Sequence, residues 1–293
     1  MATVDLTTLD IQHITRTILA GRLVSSKMLG VPYVIDPKTT LNEKFKFLSD
    51  QKPAANEAYH IRAYGIGNGG HVKAQGDSID TNVNADVLID ISLPAQHGPD
   101  HFALFSQIPF VLREENDDLD ATDRAKYLAR ITGLNYNGVT YIGYYLKKLD
   151  LSQAAPKIKH YTTKDGITTS VAFVPDDINL NPVRKALAPE AVNLATGDYL
   201  AVESLVPIVL TREEIDEIRK ACTIIYGSPL YAVISEIGIV ACAERNVPAA
   251  LGNEAISAQI MTHIVCDFNL NYANKGVDIE VNMGVTEPMI IKG

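Results

Sequence analysis

The pattern that decides the fold is the stretch SAQIMTHIVCDFNL, which spans residues 257–270. Its side chains alternate, with one face formed by Ile260, Thr262, Ile264, Cys266, Phe268 and Leu270, and the other by Met261, His263, Val265 and Asp267. A period of two residues is typical of a β-strand. The alternation resumes at 277–283 after a polar turn at 272–276, so we predict a long C-terminal β-hairpin.

The segment before this stretch carries the signals of a helix. Thr211-Arg-Glu-Glu214 has the spacing of a capping box, which marks a helix start. We predict a helix over 212–226 because Ile215, Ile218, Cys222 and Ile225 form one apolar stripe that ends before Gly227. The apolar residues 230–243 fit either a helix or a strand.

Two turn pairs predict further hairpins in the middle of the chain. Asn137-Gly138 precedes a strand at 139–148, and Asp165-Gly166 separates strands at 157–163 and 167–174. Pro109 interrupts the apolar run 105–112, which favours an edge strand. We also predict a short helix at 122–131, with Asp120 or Thr122 as its cap.

The first hundred residues are less regular. Residues 5–29 have a helical apolar stripe that Gly30 ends, and such a helix either packs on its own domain or docks on a neighbour. We expect deletion of residues 1–29 to impair assembly more than folding. Residues 36–100 contain many glycines and prolines, with short extended pieces expected at 58–64, 70–73 and 85–93.

These patterns together predict an α+β fold. It is a mainly antiparallel sheet with a few helices, an N-terminal helical arm and an irregular extended segment. The expected segments are 1–35 for the arm, 36–100 for the extended, loop-rich part and 101–293 for the main domain, with a sub-boundary near 176–200.

Charge and composition exclude several classes of partner. The chain has 293 residues and a formal net charge of −9. An acidic surface repels phosphate, which disfavours direct nucleic-acid and anionic-membrane binding. We also find neither an apolar run long enough to span a bilayer nor a secretion signal. Cys222, Cys242 and Cys266 stand among apolar neighbours, so we predict reduced core thiols in a protein folded in a reducing cytoplasm.

The Gly-rich run Tyr64-Gly-Ile-Gly-Asn-Gly-Gly-His71 raises the question of a phosphate site. No Lys-Ser or Lys-Thr pair follows its glycines, and no helix-forming segment comes after Gly70. We therefore predict a flexible loop, available for a subunit contact, in place of a nucleotide site.

His97, Asp100 and His101 raise the question of a metal site. Gly98 and Pro99 oppose the helix that would bring the two imidazoles together, so we predict a polar loop. An acidic cluster lacks the spacing and the glycine of a calcium loop, and we predict a solvated turn before a helix. The cluster consists of Glu114, Glu115, Asp117, Asp118 and Asp120.

Signatures of nucleophilic catalysis are also lacking. The chain has no G-x-S-x-G motif, and its cysteines have no histidine at a diagnostic offset. We therefore assign no catalytic, cofactor-binding or metal-binding residue and predict a protein that is not an enzyme. A hydrolase whose site is built from residues distant in sequence remains the alternative.

Three segments resemble the virion structural proteins of tailed bacteriophages. They are Gln107–Arg113, Asp118–Tyr127 and Gly138–Asp150, and the C-terminal Gly284-Val-Thr-Glu-Pro-Met289 fits the same style. The resemblance covers about a third of the chain and implies no catalytic residues.

The resemblance implies a protein of the mature particle of a contractile-tailed phage, made in the host cytoplasm. A neck or collar protein at the head–tail junction is expected, and capsid decoration and the baseplate are the alternative positions. The implied partners are copies of the same chain and other virion structural proteins, since such particles are built from symmetric oligomers.

Overall fold

A computed structural model describes residues 7–8, 11–72, 93–164, 167–184, 199–270 and 277–285. Strands dominate this part of the chain and pair mainly antiparallel, which confirms the predicted α+β class. The strands are β1 (Thr7–Thr8), β2 (Ile11–Arg16), β3 (His60–Gly67), β4 (His71–Val72), β5 (Leu93–Pro94), β6 (Gln107–Ile108), β7 (Val111–Glu114), β8 (Arg130–Tyr136), β9 (Val139–Tyr144), β10 (Lys147–Lys148), β11 (Lys157–Lys164), β12 (Ile167–Ala172), β13 (Tyr199–Leu210), β14 (Val233–Val247), β15 (Gly252–Asn269) and β16 (Val277–Val285). The α-helices are α1 (Ile18–Leu29), α2 (Leu41–Phe45), α3 (Ala121–Arg124), α4 (Asp177–Leu180) and α5 (Arg212–Tyr226), and 3-10 turns lie at Pro37–Thr39, Pro229–Tyr231 and Pro248–Ala250.

The chain forms two compact units. The first unit contains Met1–Leu149 and Val209–Ile279, and the second contains Asp150–Ile208 and Glu280–Gly293. This division differs from the predicted segments 1–35, 36–100 and 101–293, because β2, α1 and β3 all belong to the first unit. The second unit also begins at Asp150, before the predicted sub-boundary at 176–200.

The centre of the first unit is a sheet with the strand order β10-β3-β14-β15-β2, in which β6 also pairs with β3. Both faces of β14 are covered. Val240 and Cys242 pack into one apolar cluster with Leu104 and Leu128, whereas Ala241 and Ala243 pack with Leu19 and Leu23 of α1 into another. A strand buried on both faces reads as a continuous apolar run, which is why its sequence also fitted a helix.

The N-terminal arm is only partly helical. The helix α1 begins at Ile18, and Ile11–Arg16 form a strand that pairs antiparallel with β15, with Thr262 opposite Arg16. Half-buried and exposed residues alternate along β2, which is the period of a strand. Because this strand pairs with β15 and because Leu19 and Leu23 are buried in the core, deletion of residues 1–29 should impair folding, contrary to the sequence-based expectation.

Two other predictions are corrected. The helix expected at 122–131 ends at Arg124, and β8 starts at Arg130. The C-terminal hairpin does not form, because β14 and β2 occupy both edges of β15, while β16 pairs in parallel with β1. The predicted turns at 165–166 and 272–276, and all of the predicted extended piece 85–93 except Leu93, lie outside the described residues.

Several local predictions are confirmed. The helix α5 starts at the capping box of Thr211 and Glu214 and ends at Gly227, whose φ is 77°. Asn137 and Gly138 have the positive φ angles that the hairpin turn between β8 and β9 requires. The three cysteines are free and buried, as predicted. No helix among the described residues is long and apolar enough to cross a membrane.

Candidate functional site

A buried carboxylate in the first unit contacts both the Gly-rich run and His97. Glu236 lies on β14, and its side chain is completely shielded from solvent. Its Oε1 accepts hydrogen bonds from the backbone N–H groups of Ser106 (2.8 Å) and Gly69 (3.2 Å). Its Oε2 accepts from the backbone N–H of Phe105 (3.0 Å) and from Nε2 of His97 (2.9 Å). All four lone-pair positions of the carboxylate are therefore used.

These donors keep Glu236 ionised. Burial by itself would raise the pKa of Glu236, but the hydrogen bonds from His97, Ser106 and Phe105 hold this pKa below its ordinary value. A carboxylate with every lone pair engaged has no acceptor left for a substrate proton or a metal ion. The described residues contain no group of three or more His, Cys, Asp or Glu side chains arranged to hold a metal.

The Gly-rich run lies against this carboxylate and is not a flexible loop. Gly67 is opposite Glu236 in the β3–β14 pairing, and a Cβ on Gly67 would lie 2.5 Å from both Oε1 of Glu236 and the Ser106 carbonyl oxygen. The backbone N–H of Gly70 donates to Oγ of Ser235 at 2.8 Å. Since the N–H groups of Gly69 and Gly70 are already engaged, the run is not free to cradle a phosphate.

The structure brings His97 and His101 together with a third histidine, His263. The imidazole of His97 is sandwiched between His263 (centroids 3.8 Å apart) and Phe105 (3.9 Å). Nδ1 of His97 is 3.4 Å from Nδ1 of His101. The predicted polar loop is therefore packed around a buried imidazole.

His263 is neutral at physiological pH. Its Nε2 donates to the carbonyl oxygen of His101 at 2.9 Å, so Nε2 carries the hydrogen. Burial, together with the neighbouring imidazoles, lowers the pKa of His263 to about 4. Ring stacking on His263 and hydrogen bonds to Glu236 thus attach residues 97–106 to the central sheet. We call Glu236, His97, His101 and His263 the Glu236 cluster.

The acidic cluster has four exposed members and one half-buried member, Asp118. Asp120 caps α3 by accepting from the N–H groups of Thr122 and Asp123, as predicted. Asp118 is half-buried and accepts hydrogen bonds from Tyr144 Oη (2.5 Å) and Arg130 Nη2 (2.9 Å). Burial opposes ionisation, yet these donors keep the pKa of Asp118 below its ordinary value.

A second buried carboxyl lines a groove of about 410 Å³ in the first unit. Glu254 on β15 is 3% exposed and accepts a hydrogen bond from the backbone N–H of Arg130 at 3.1 Å. Burial raises the pKa of Glu254 to about 8, so the group is largely protonated at neutral pH. No sequence pattern marks Glu254, whereas Glu236 is a charged residue inside an apolar run.

The second unit presents a different surface. From β12 to the residues after α4, large aliphatic side chains are exposed to solvent. We call these side chains the apolar strip. Its members are 63–79% exposed: Ile167, Val171, Val174, Ile178, Leu180 and Val183. Every residue of β12 is exposed, on both faces of the strand.

Comparison with known proteins gives one match. The chain matches the model of the "Family of unknown function (DUF7208)" over residues 4–293. No curated protein and no solved structure matches it. Since the match covers nearly the whole sequence, the chain belongs to this family of unknown function.

Proposed function

We propose that this protein is a structural component of a tailed-bacteriophage particle that assembles with copies of itself and with other virion structural proteins. The observation that carries the proposal is the apolar strip of the second unit. Six large aliphatic side chains within 167–183 are each at least 63% exposed. Several large exposed aliphatic side chains in one short segment favour a surface that another molecule covers.

Burial of these side chains gives assembly a driving force. Transfer of an exposed Val, Leu or Ile side chain out of water contributes about 1.5–3 kcal/mol. A net charge of −9 opposes non-specific aggregation of the same chain. The acidic charge also disfavours direct contact with packaged nucleic acid.

The position in the particle rests on the resemblance of the segments 107–113, 118–127, 138–150 and 284–289 to phage virion proteins. We favour the neck or collar, with capsid decoration and the baseplate as alternatives. Copy number separates them, because a cyclic neck ring holds about a dozen copies or fewer, while a decoration protein is present in hundreds.

Light scattering of the purified protein and electron cryo-microscopy of the particle test this proposal. We expect a multimer in solution, or binding to other virion proteins, and density for the chain at the head–tail junction. A monomer that binds no virion protein and is absent from purified particles would overturn the proposal.

Glu254 favours hydrolysis as a second candidate function. A carboxyl group with a raised pKa on the wall of a groove has the protonation state of a general acid. Hydrolysis of chromogenic esters and glycosides by the wild type and by Glu254→Gln tests it. Activity in the wild type that the substitution abolishes would support the hydrolase, and inactivity of the wild type on both substrate classes would contradict it.

A further inference from the structure

The strand β12 ends the order of strands in its sheet, and β11 is its only described neighbour. Phe173 N–H donates to the Ile158 carbonyl oxygen at 2.9 Å. Because hydrogen-bonded pairs alternate along an antiparallel ladder, Val171, Thr169 and Ile167 also direct their backbone groups toward β11. The backbone N–H and C=O of Ser170 and Ala172 therefore point away from β11, toward the open edge.

This edge lacks the features that normally keep edge strands apart. Lysine, proline, inward-pointing charges and bulges discourage pairing with another chain. The sequence of β12, Ile-Thr-Thr-Ser-Val-Ala, contains no charged residue and no proline, and its pairing with β11 runs without a bulge. Its β-branched residues also favour the extended conformation.

The order of residues in β12 identifies the partner as a second copy. Around Thr169, the residues Ile167-Thr-Thr-Ser-Val171 have the same chemical pattern in both directions: aliphatic, hydroxyl, hydroxyl, hydroxyl, aliphatic. A strand that pairs with itself about a twofold axis perpendicular to the sheet needs this symmetry, because residues at equal distances from the axis lie opposite each other on one face.

We propose that β12 pairs antiparallel with β12 of a second copy, with the twofold axis at Thr169. Thr169 then lies opposite Thr169 of the second copy, and Ile167 lies opposite its Val171. Ile167 and Val171 are 69% and 63% exposed in the single chain, and the pairing covers both with aliphatic neighbours. The absence of charge on β12 avoids the repulsion that like charges produce directly across a strand pair.

This inference rests on the proposed function, since it names the partner and the contact for self-assembly. A twofold contact joins copies in pairs, so it predicts an even number of copies. A closed ring would need a second, different surface on each pair.

Disulfide trapping in the full-length chain tests the register. Directly opposite residues of a non-hydrogen-bonded pair have Cα atoms about 4.5 Å apart, within the range that a disulfide spans. Thr169→Cys should therefore give a disulfide-linked dimer on mild oxidation. Ala172→Cys on the same strand is the matched control, because the two copies of residue 172 would be about 20 Å apart along the strands. The native cysteines are buried.

Charge substitutions test the contact without covalent chemistry. Thr169→Lys and Thr169→Glu should each weaken the dimer about tenfold or more in analytical ultracentrifugation, because like charges then lie across the axis. An equimolar mixture of the two variants should recover the dimer. Thr223→Lys on the exposed side of α5 should leave assembly unchanged, and thermal melts of all variants check the fold.

The possible failures are distinguishable. If the wild type is multimeric but Thr169→Cys does not cross-link and Thr169→Lys assembles normally, β12 is not the contact and the proposed function stands. Cross-linking of Ala172→Cys as efficient as that of Thr169→Cys would also overturn the twofold register. A wild type that stays monomeric and is absent from the particle would overturn both proposals.

Discussion

The Glu236 cluster and the hairpin of β11 and β12 use polar and apolar groups in opposite ways. The cluster buries a carboxylate completely and gives each of its oxygens two donors. The hairpin exposes aliphatic side chains on a strand that has one described neighbour. In the first case the chain satisfies an expensive buried charge by itself. In the second case aliphatic side chains stay in solvent, although their burial would be favourable.

The comparison teaches that unusual residues need not mark chemistry. A buried glutamate among histidines and glycines resembles an active site in composition, but every acceptor position of Glu236 is occupied by the protein. The exposed hairpin has an ordinary composition, yet its aliphatic side chains are the ones left in solvent.

The largest effect is expected at Glu236. Glu236→Gln keeps the shape but replaces an acceptor oxygen with an NH₂ group that faces N–H donors. We expect the free energy of unfolding to fall by about 3 kcal/mol or more, because two buried N–H donors lose their acceptor and each such loss costs about 1–3 kcal/mol. Urea denaturation at pH 7 measures the change. Glu213→Gln on the exposed first turn of α5 is the control, and an equal loss in both variants would contradict the special role of the buried carboxylate.

The close packing of the Gly-rich run predicts the next largest effect. An added Cβ at Gly70 would overlap the backbone carbonyl oxygen of Ser235, which cannot rotate away. Gly70→Ala should lower the free energy of unfolding by about 2–3 kcal/mol. Gly21→Ala is the opposite case, because a Cβ at Gly21 in α1 meets nothing within 4 Å and should stabilise the helix by about 1 kcal/mol. If both substitutions change the free energy of unfolding in the same direction, Gly70 does not pack closely against the Ser235 carbonyl.

Glu254 predicts a pH-dependent effect. Its pKa of about 8 in the folded chain exceeds the ordinary value of 4.5, so the folded state binds this proton more tightly than the unfolded state. The contribution of this proton to the free energy of unfolding is complete below the ordinary pKa of 4.5. It is lost as the pH rises through about 8.

Glu254→Gln removes this titration. At about 1.4 kcal/mol per pKa unit, the stability lost when Glu254 ionises has an upper limit of ~5 kcal/mol. Water that enters the groove reduces this loss. We expect the variant to be about 2 kcal/mol more stable than the wild type at pH 9 and equal to it at about pH 4, below the ordinary pKa of the carboxyl. Thermal melts across this range check the prediction, and parallel curves for the two proteins would contradict it.

The smallest effect on folding is expected on the exposed hairpin. Val171 is 63% exposed, so Val171→Thr should change the free energy of unfolding by less than about 0.5 kcal/mol. The matched substitution Val265→Thr on β15, where Val265 is 1% exposed, should cost about 1–3 kcal/mol because it buries a hydroxyl. If both substitutions cost the same, Val171 is covered in the single chain and the contrast fails.

Local signals predicted the elements whose ends are set by neighbouring residues. The capping box of Thr211 and Glu214 identified α5 to the residue, and Asn137-Gly138 identified a hairpin turn. Failures came where packing overrides the local pattern. Residues 11–16 have apolar side chains at helical spacing, but the exposed edge of β15 recruits them as a strand.

The candidate site was only partly predictable. The sequence patterns mark the Gly-rich run, His97 and His101 as unusual, but they do not mark Glu236 as a site residue. The contacts among these residues could not be predicted from the sequence, because the contacting segments lie up to 167 residues apart. The residues are Gly69, His97, Ser106 and Glu236. Spacing along a chain carries no information about such contacts.

Local sequence patterns were enough to predict the sheet-rich class, the helix α5, the antiparallel pairing of β11 with β12, and the burial of the cysteines. Each follows from side-chain periodicity or turn chemistry within a few residues. Only the tertiary structure decided that β15 pairs with β14 and β2, that Glu236 keeps its charge, and that the residues of β12 remain exposed. These outcomes depend on which distant groups share a strand edge or a buried space, and therefore on the packing of the whole chain.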